Sequence, residues 1–232
     1  MKFFVGTSGW YYDWNNDLNF DWYINNSRLN AVELNASFYR FPFPNQIKSW
    51  VRKGSHLRWA IKVSRLITHQ FKFSEKSIEV WQRFYDLFSV MEDLIDYYLF
   101  QLPPRFTTQQ KDKLSHFISC IKTNEKLALE FRDASWFDES IVKWAESLGI
   151  TLVSIDAPGF PKTIFNTSKS VYLRMHGRTS WYAHNYTIKE LKEVAERISN
   201  VCADRVYIFF NNNHSMLKNA QDMIKILNRI ST

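Results

Sequence analysis

Residues 127–137 read LALEFRDASWF. The first four would suit any buried strand. The stretch then sets Glu130, Arg132 and Asp133 within four positions and closes on Trp136 and Phe137. Charge gathered at the end of an apolar strand is what the mouth of a parallel barrel requires, because there the strand C-termini meet around a common site. That reading predicts that other apolar runs in the chain finish the same way.

They do. Short apolar runs recur at FFVG (3–6), AVEL (31–34), RWAIKV (58–63), YYLFQL (97–102), LALEF (127–131), TLVSI (151–155), VYLRM (171–175) and RVYIFF (205–210). Polar, Pro- or Gly-containing residues follow each, as where parallel strands end. Between them lie amphipathic helical patterns. One runs from Ser74 to Met91, with Ile78, Trp81, Tyr85, Phe88 and Met91 on one face. Another carries Leu114, Phe117, Ile118 and Ile121, and a third carries Ile141, Val142, Ala145 and Leu148 before a C-capping Gly149. A fourth opens at Thr187 with Glu190 completing a capping box, and the last spans about Met216 to Ile230. Residues 11–30 hold at most a short helix, and 158–170 show none.

Eight strands alternating with helices in 232 residues read as one (β/α)8 TIM-like barrel over residues 1–232, with short or irregular crossovers after strands 1 and 6. An open doubly wound sheet would want a glycine-rich phosphate turn after its first strand. GTSGW (6–10) lacks that spacing and leads into aromatic residues, not a helix.

Strand side chains alternate faces, which sorts the polar ends. Glu33 and Asn35 share a face, as do Glu130 and Arg132, and Arg174 and His176. Leu34, Phe131 and Met175 then face the helices. Lys62, Gln101, Asp156 and Asn211 are the expected inward residues of four further strands. Three acids and three bases balance in such a mouth. Buried ion pairs stabilise weakly, so fold stability alone is a poor reason to collect six.

The motifs GTSGW, VELNASFYR (32–40), ITH (67–69), FQLPPRF (100–106), LEFRDASWF (129–137), YLRMHGR (172–178) and FFNNN (209–213) with the later Asn219–Ala220 resemble, in order, those of the YecE-like family, domain of unknown function 72, of bacteria and archaea. The resemblance spans nearly the whole chain. It implies a TIM-like barrel with a polar C-terminal mouth and implies no particular reaction. Where that family often carries Asp after FFNN, this chain has Asn213, so no carboxylate is expected to act there.

The chemistry expected at this mouth is acid/base catalysis on a phosphate- or sugar-bearing anion, of the hydrolase or lyase kind. Glu130 or Glu33 would serve as general base, Asp156 as a further carboxylate, and His176 as a proton shuttle near neutral pH. Lys62, Arg132 and Arg174 would hold the anion, and Asn35, Gln101, Asn211, Trp10, Tyr39, Trp136 and Arg178 would complete the binding surface. No cofactor is expected. A divalent metal would recruit Glu33, Glu130, Asp156, His176 and His214, but paired-His spacing is absent from the sequence and the nearby cations oppose a metal.

A nucleic-acid-binding protein is the alternative. The net charge of +7 favours anionic partners. Trp10, Tyr11, Tyr12, Phe38, Tyr39, Trp136, Trp181 and Tyr182 follow strand ends and interleave with Arg40, Arg65 and Arg178, a pattern suited to stacking bases. Cys120 and Cys202 form no framework or metal motif, and no apolar run approaches the roughly 18 residues of a membrane span. A cytoplasmic protein without membrane association is expected.

Overall fold

The computed structural model describes residues 1–121 and 123–230. Eight parallel strands form its core: β1 (Lys2–Thr7), β2 (Ala31–Leu34), β3 (Arg58–Lys62), β4 (Ile95–Gln101), β5 (Leu127–Glu130), β6 (Thr151–Asp156), β7 (Ser170–Met175) and β8 (Arg205–Phe210). Their hydrogen-bonded order is β1-β8-β7-β6-β5-β4-β3-β2, which brings β1 and β2 to the two sides of one seam. Helices α1 (Phe20–Asn26), α2 (Pro44–Lys53), α3 (Glu75–Phe88), α4 (Lys111–Ile121), α5 (Glu139–Leu148), α6 (Ile188–Ser199) and α7 (Met216–Ile230) surround the sheet. This is the (β/α)8 barrel expected from the strand count.

Local signals placed most helices. Gly149 ends α5 at φ +65°, a left-handed conformation that glycine adopts without a Cβ penalty. The Thr187 hydroxyl oxygen accepts from the Glu190 amide to open α6. α2 went unread in the sequence, because its inward face offers only Ile47, Trp50 and Val51 among polar neighbours. The crossover after β1 is the short α1, and residues 157–169 hold no helix among the described residues.

That missing helix explains the chemistry of β6. Elsewhere an apolar helix covers the strand exterior. Over β6 lies an extended segment, fastened by Phe165 N donating to Ser154 Oγ at 2.8 Å and Leu152 N donating to Thr167 Oγ1 at 3.0 Å. The outer face of β6 therefore joins polar Ser154 and Asp156 to the apolar Leu152, which packs in the outer core.

Two apolar layers follow from strand alternation. The outer one joins Val32, Leu34, Ile61, Leu129, Phe131, Met175 and Phe210 to the helices. The inner one fills the barrel with Phe4, Tyr97, Tyr172, Tyr207 and Phe209, matched by small Ala31, Ala60 and Ala128 on the facing strands. Tyr97 packs 5.2 Å from Tyr172 and 5.1 Å from Tyr207 between ring centres. Interleaving large and small side chains reaches close packing without strain.

The seam is closed by a side chain. Asn30 Oδ1 accepts from Val5 N at 2.7 Å, and Asn30 Nδ2 donates to the Phe3 carbonyl at 2.9 Å. Gly6 permits the approach: a Cβ there would lie 2.6 Å from the Ala31 carbonyl carbon and collide with its oxygen. Gly6→Ala is expected to cost about 1–3 kcal/mol as an overpacked site. Differential scanning calorimetry should then show a melting temperature lower by roughly 2–12 °C. An unchanged value would mean that the seam is looser than described.

Candidate functional site

The barrel mouth is organised around Arg174, the third inward residue of β7 and fully buried. Its Nε donates to Glu33 Oε2 at 2.9 Å and its Nη2 to Glu33 Oε1 at 2.6 Å, while Nη1 donates to Glu130 Oε2. One guanidinium thus bridges carboxylates on β2 and β5. Glu33 also accepts from Ser8 Oγ at 2.6 Å and from Tyr172 OH at 2.7 Å. Glu130 Oε1 accepts from Arg132 Nε.

These bonds set the protonation states. Burial alone would raise the Glu130 carboxyl, but the Arg132 and Arg174 guanidinia outweigh it and hold the group well below its ordinary value. Burial, with Glu33 beside it, raises the Tyr172 phenol well above its ordinary value. Glu130 is therefore an ionised structural partner here and a poor general base. His176, also fully buried, is lowered to about 3 by burial and by the Arg132 and Arg174 cations. Its Nε2 stands 3.3 Å from Arg132 Nη2 and 3.5 Å from Glu130 Oε1. The ring is neutral near pH 7, which removes the expected role as a proton shuttle at that pH.

Lys62 differs from every other charge in the mouth. It is 6% exposed at the inward end of β3, yet its ammonium forms no ion pair among the described residues. Nζ instead lies 4.3 Å above the Phe38 ring centre. Burial, reinforced by the Arg174 cation, lowers the amine to about 7. His69, which meets Phe38 edge-on at 5.1 Å, is lowered to about 4 by burial and then by Lys62.

Arg132 is held on two sides. Its guanidinium lies 4.4 Å from the Trp181 ring centre and its Nε serves Glu130. Among the described residues none bonds to its Nη1. The Arg132 guanidinium is therefore oriented with one nitrogen uncommitted, its side chain 8% exposed, whereas Arg174 has no exposure and is consumed by Glu33 and Glu130. As folded, Arg174 reaches no ligand.

The remaining expected residues separate into groups. Asn211 Nδ2 lies 3.3 Å from His176 Nδ1, and Gln101 pairs in register with Glu130 on the adjacent strand, so both belong to the mouth. Asp156 does not. The inward residues of β6 are Val153 and Ile155, so Asp156 falls on the outer face with Ser154. There it accepts from Arg178 Nη2 at 3.0 Å and from Tyr186 OH at 3.0 Å. Arg178 also donates to Glu193 at 2.8 Å, so Asp156 and Arg178 anchor the β7–α6 loop away from the mouth. Trp136 is 1% exposed, stacks on Phe131 at 4.5 Å and donates from Nε1 to the Phe106 carbonyl at 2.6 Å. It fixes a loop against the outer core. His214 sits on the surface with Asp13 at 2.5 Å. Asn35 leaves the strand pattern because its φ of −80° and ψ of −25° begin a 3-10 turn. With Trp10 and Tyr39 it lines a separate cavity of about 500 Å³ beside β1 and β2.

Two contributors were missed in the sequence. Tyr172 stands two residues before Arg174 on the same face, a signal that alternation carried. His69 comes from the π-helical turn Leu66–Gln70, which no periodicity indicates.

A family model described as a protein of unknown function, DUF72, matches residues 4–231. The chain belongs to this family. A DUF72 family protein from Enterococcus faecalis V583, EF0366, superposes with a TM-score of 0.85 at 21% identity, over 97% of this chain and 95% of that one. Another, TM1631 from Thermotoga maritima MSB8, gives 0.83 at 23% identity over 100% of both chains. A protein solved as SacUVDE shares the fold more distantly, at 0.53 and 9% identity, over 94% and 85% of the two chains. At these identities the solved structures establish the fold. A comparison with curated proteins gives no match. No helix among the described residues is long and apolar enough to cross a membrane.

Removing the shared cation tests the mouth as a structural unit. Arg174→Met would leave Glu33 and Glu130 buried without it, and breaking a buried pair in this way costs about 3–5 kcal/mol. A melting temperature lower by roughly 6–20 °C is expected. The depressed Glu130 carboxyl stabilises the fold at pH above its ordinary value of 4.5, and that contribution is lost as pH falls through its lower, folded value. In Arg174→Met the acid unfolding midpoint should move upward. Unchanged thermal and acid midpoints would refute the structural reading.

Proposed function

We propose that this DUF72 protein is an enzyme that acts on a phosphate- or sugar-bearing anion by acid/base chemistry of the hydrolase or lyase kind, with Lys62 as the proton-transferring group. The observation that carries this is the isolation of Lys62. Two carboxylates, Glu33 and Glu130, cancel two guanidinia, Arg132 and Arg174, through the bonds described above. Lys62 is the charge left over. A buried amine near 7 is neutral enough to take a proton and, once charged, strong enough to return it. The Nη1 of Arg132, uncommitted among the described residues, would be the oriented donor for the substrate anion.

Nucleic-acid binding by the rim is the second reading. It is favoured by Tyr11, Tyr39 and Tyr182, which remain 72%, 64% and 36% exposed. It is weakened by the burial of Trp136. A log–log dependence of affinity on salt with a slope near −0.7 per phosphate contacted would favour it.

Lys62→Met separates function from stability. The amine titrates at about 7 in the folded chain against 10.5 ordinarily. The unfolded chain therefore holds more protons between those values, and stability rises with pH across that window. The burial penalty is full below 7 and absent above 10.5. Lys62→Met is expected to raise the melting temperature more near pH 6 than near pH 10.5. In a screen of phosphorylated sugars and phosphoesters the variant should lose roughly 10²–10⁴-fold in rate. Wild-type kcat/KM should rise to a plateau through a value near 7, since the base acts unprotonated. A stabilised variant with full activity would sink the proposal.

A further inference from the structure

We propose that the cavity beside β1 and β2 binds a nucleotide, its base between aromatic walls, its polar edge on the Asn35 amide and its phosphate on Arg40. The cavity holds about 500 Å³ between the loop after β1, the turn after β2 and the start of α2, within the range of small-molecule sites. Trp10, Tyr12 and Tyr39 are among its walls.

The free polar groups define the ligand. Ser8, Tyr12, Ser37 and Gln46 are already engaged within the protein. Tyr12 OH donates to the Ser8 carbonyl at 3.3 Å, Ser37 Oγ to the Lys62 carbonyl at 2.6 Å, and Gln46 Oε1 accepts from Phe43 N at 2.9 Å. Asn35 differs from the other lining residues in carrying a buried polar atom that no partner meets. Its Oδ1 is sealed from solvent without a donor, and among the described residues its Nδ2 has no acceptor. No hydrogen bond holds the amide among the described residues, so exchanging its two ends by a half-turn about its last side-chain bond breaks none. A buried acceptor left unmet is costly, and buried polar groups are normally satisfied. Arg40, exposed at the lip, likewise has no hydrogen-bonding or ionic partner for its guanidinium among the described residues.

One planar amide and one guanidinium do not satisfy the hydroxyls of a bare sugar. They do match a heteroaromatic base, whose edge sets a donor beside an acceptor as an amide does, followed by a phosphate. The aromatic walls supply stacking, which tolerates any base. The cavity also adjoins the mouth. Ser8 lies in its wall and donates to Glu33, and Ser37 and Tyr39 flank the Phe38 ring beneath Lys62. The inference deepens the preceding reading by naming the substrate class, a free nucleotide or one within a strand.

Binding is measured without turnover, so failure here and failure of Lys62 as a base are told apart. Trp10 and Trp50 line the cavity, and their fluorescence is titrated with AMP, GMP, CMP and UMP, then with adenosine, ribose 5-phosphate and a short single-stranded oligonucleotide. At least one monophosphate is expected to bind about tenfold or more tighter than ribose 5-phosphate, the loss expected when stacking is removed. Asn35→Ala should weaken that nucleotide by about tenfold, and Arg40→Ala should weaken it while leaving the nucleoside unaffected. If the oligonucleotide binds tighter than any monophosphate and both cavity variants weaken it, the nucleotide belongs to a strand. Ribose 5-phosphate binding as tightly as every monophosphate would overturn the proposal, as would full affinity in Arg40→Ala and Asn35→Ala.

Discussion

The guanidinium of Arg174 joins three strands that the chain reaches at widely separated points. It takes Glu33 from β2 and Glu130 from β5, across sequence separations of 141 and 44 residues. With no solvent to share the charge, each N–H and each carboxylate oxygen needs a protein partner. Ser8, Tyr172 and Arg132 supply the rest. The electrostatics of the mouth follow from this set: the guanidinia keep Glu130 ionised, while burial, reinforced by those cations, keeps His176 neutral and lowers Lys62. A buried network of this kind contributes little net stability compared with apolar packing, yet is costly to break. What it does provide is a fixed charge pattern in which Lys62 is left unpaired among the described residues.

Tyr172 connects that charged layer to the barrel interior. Its hydroxyl serves Glu33, while its ring packs against Tyr97 and Phe209 at 5.2 Å from each. Aromatic filling below and ion pairing above are therefore one continuous structure. The seam between β1 and β2 is the contrasting region. It relies on Gly6 and on the Asn30 side chain in place of a backbone ladder. The cavity lined by Asn35 opens from the loops that leave this same seam, where strand pairing constrains the backbone least.

Much of the site was legible from alternation where a strand keeps its period to the end. Glu33, Lys62, Glu130 and Arg174 all fall inward as expected. Asp156 shows where the reading breaks. Its strand also alternates, but the inward set is Val153 and Ile155, so the acid belongs to the other face. The sequence showed no helix over residues 158–170, but whether the outer face of β6 is polar also depends on how that segment packs, which no local pattern fixes. Trp136 failed for a related reason. An aromatic after a strand end suits a rim or a loop anchor equally, and the Phe131 and Phe106 rings beneath it decided the matter.

The sequence by itself determined the number and order of strands, the helices with strong caps, the polar character of every strand end and membership of a barrel family. These rest on local periodicities of about 2 and 3.6 residues, which a single chain displays without folding. Only the tertiary structure decided which charges neutralise one another, which aromatics are buried and which lysine stands alone. Pairing is settled by distances across the barrel, between residues brought together from separate strands. In a low-dielectric interior those few ångströms decide whether a side chain of given chemistry is a structural counter-ion or a reactive group.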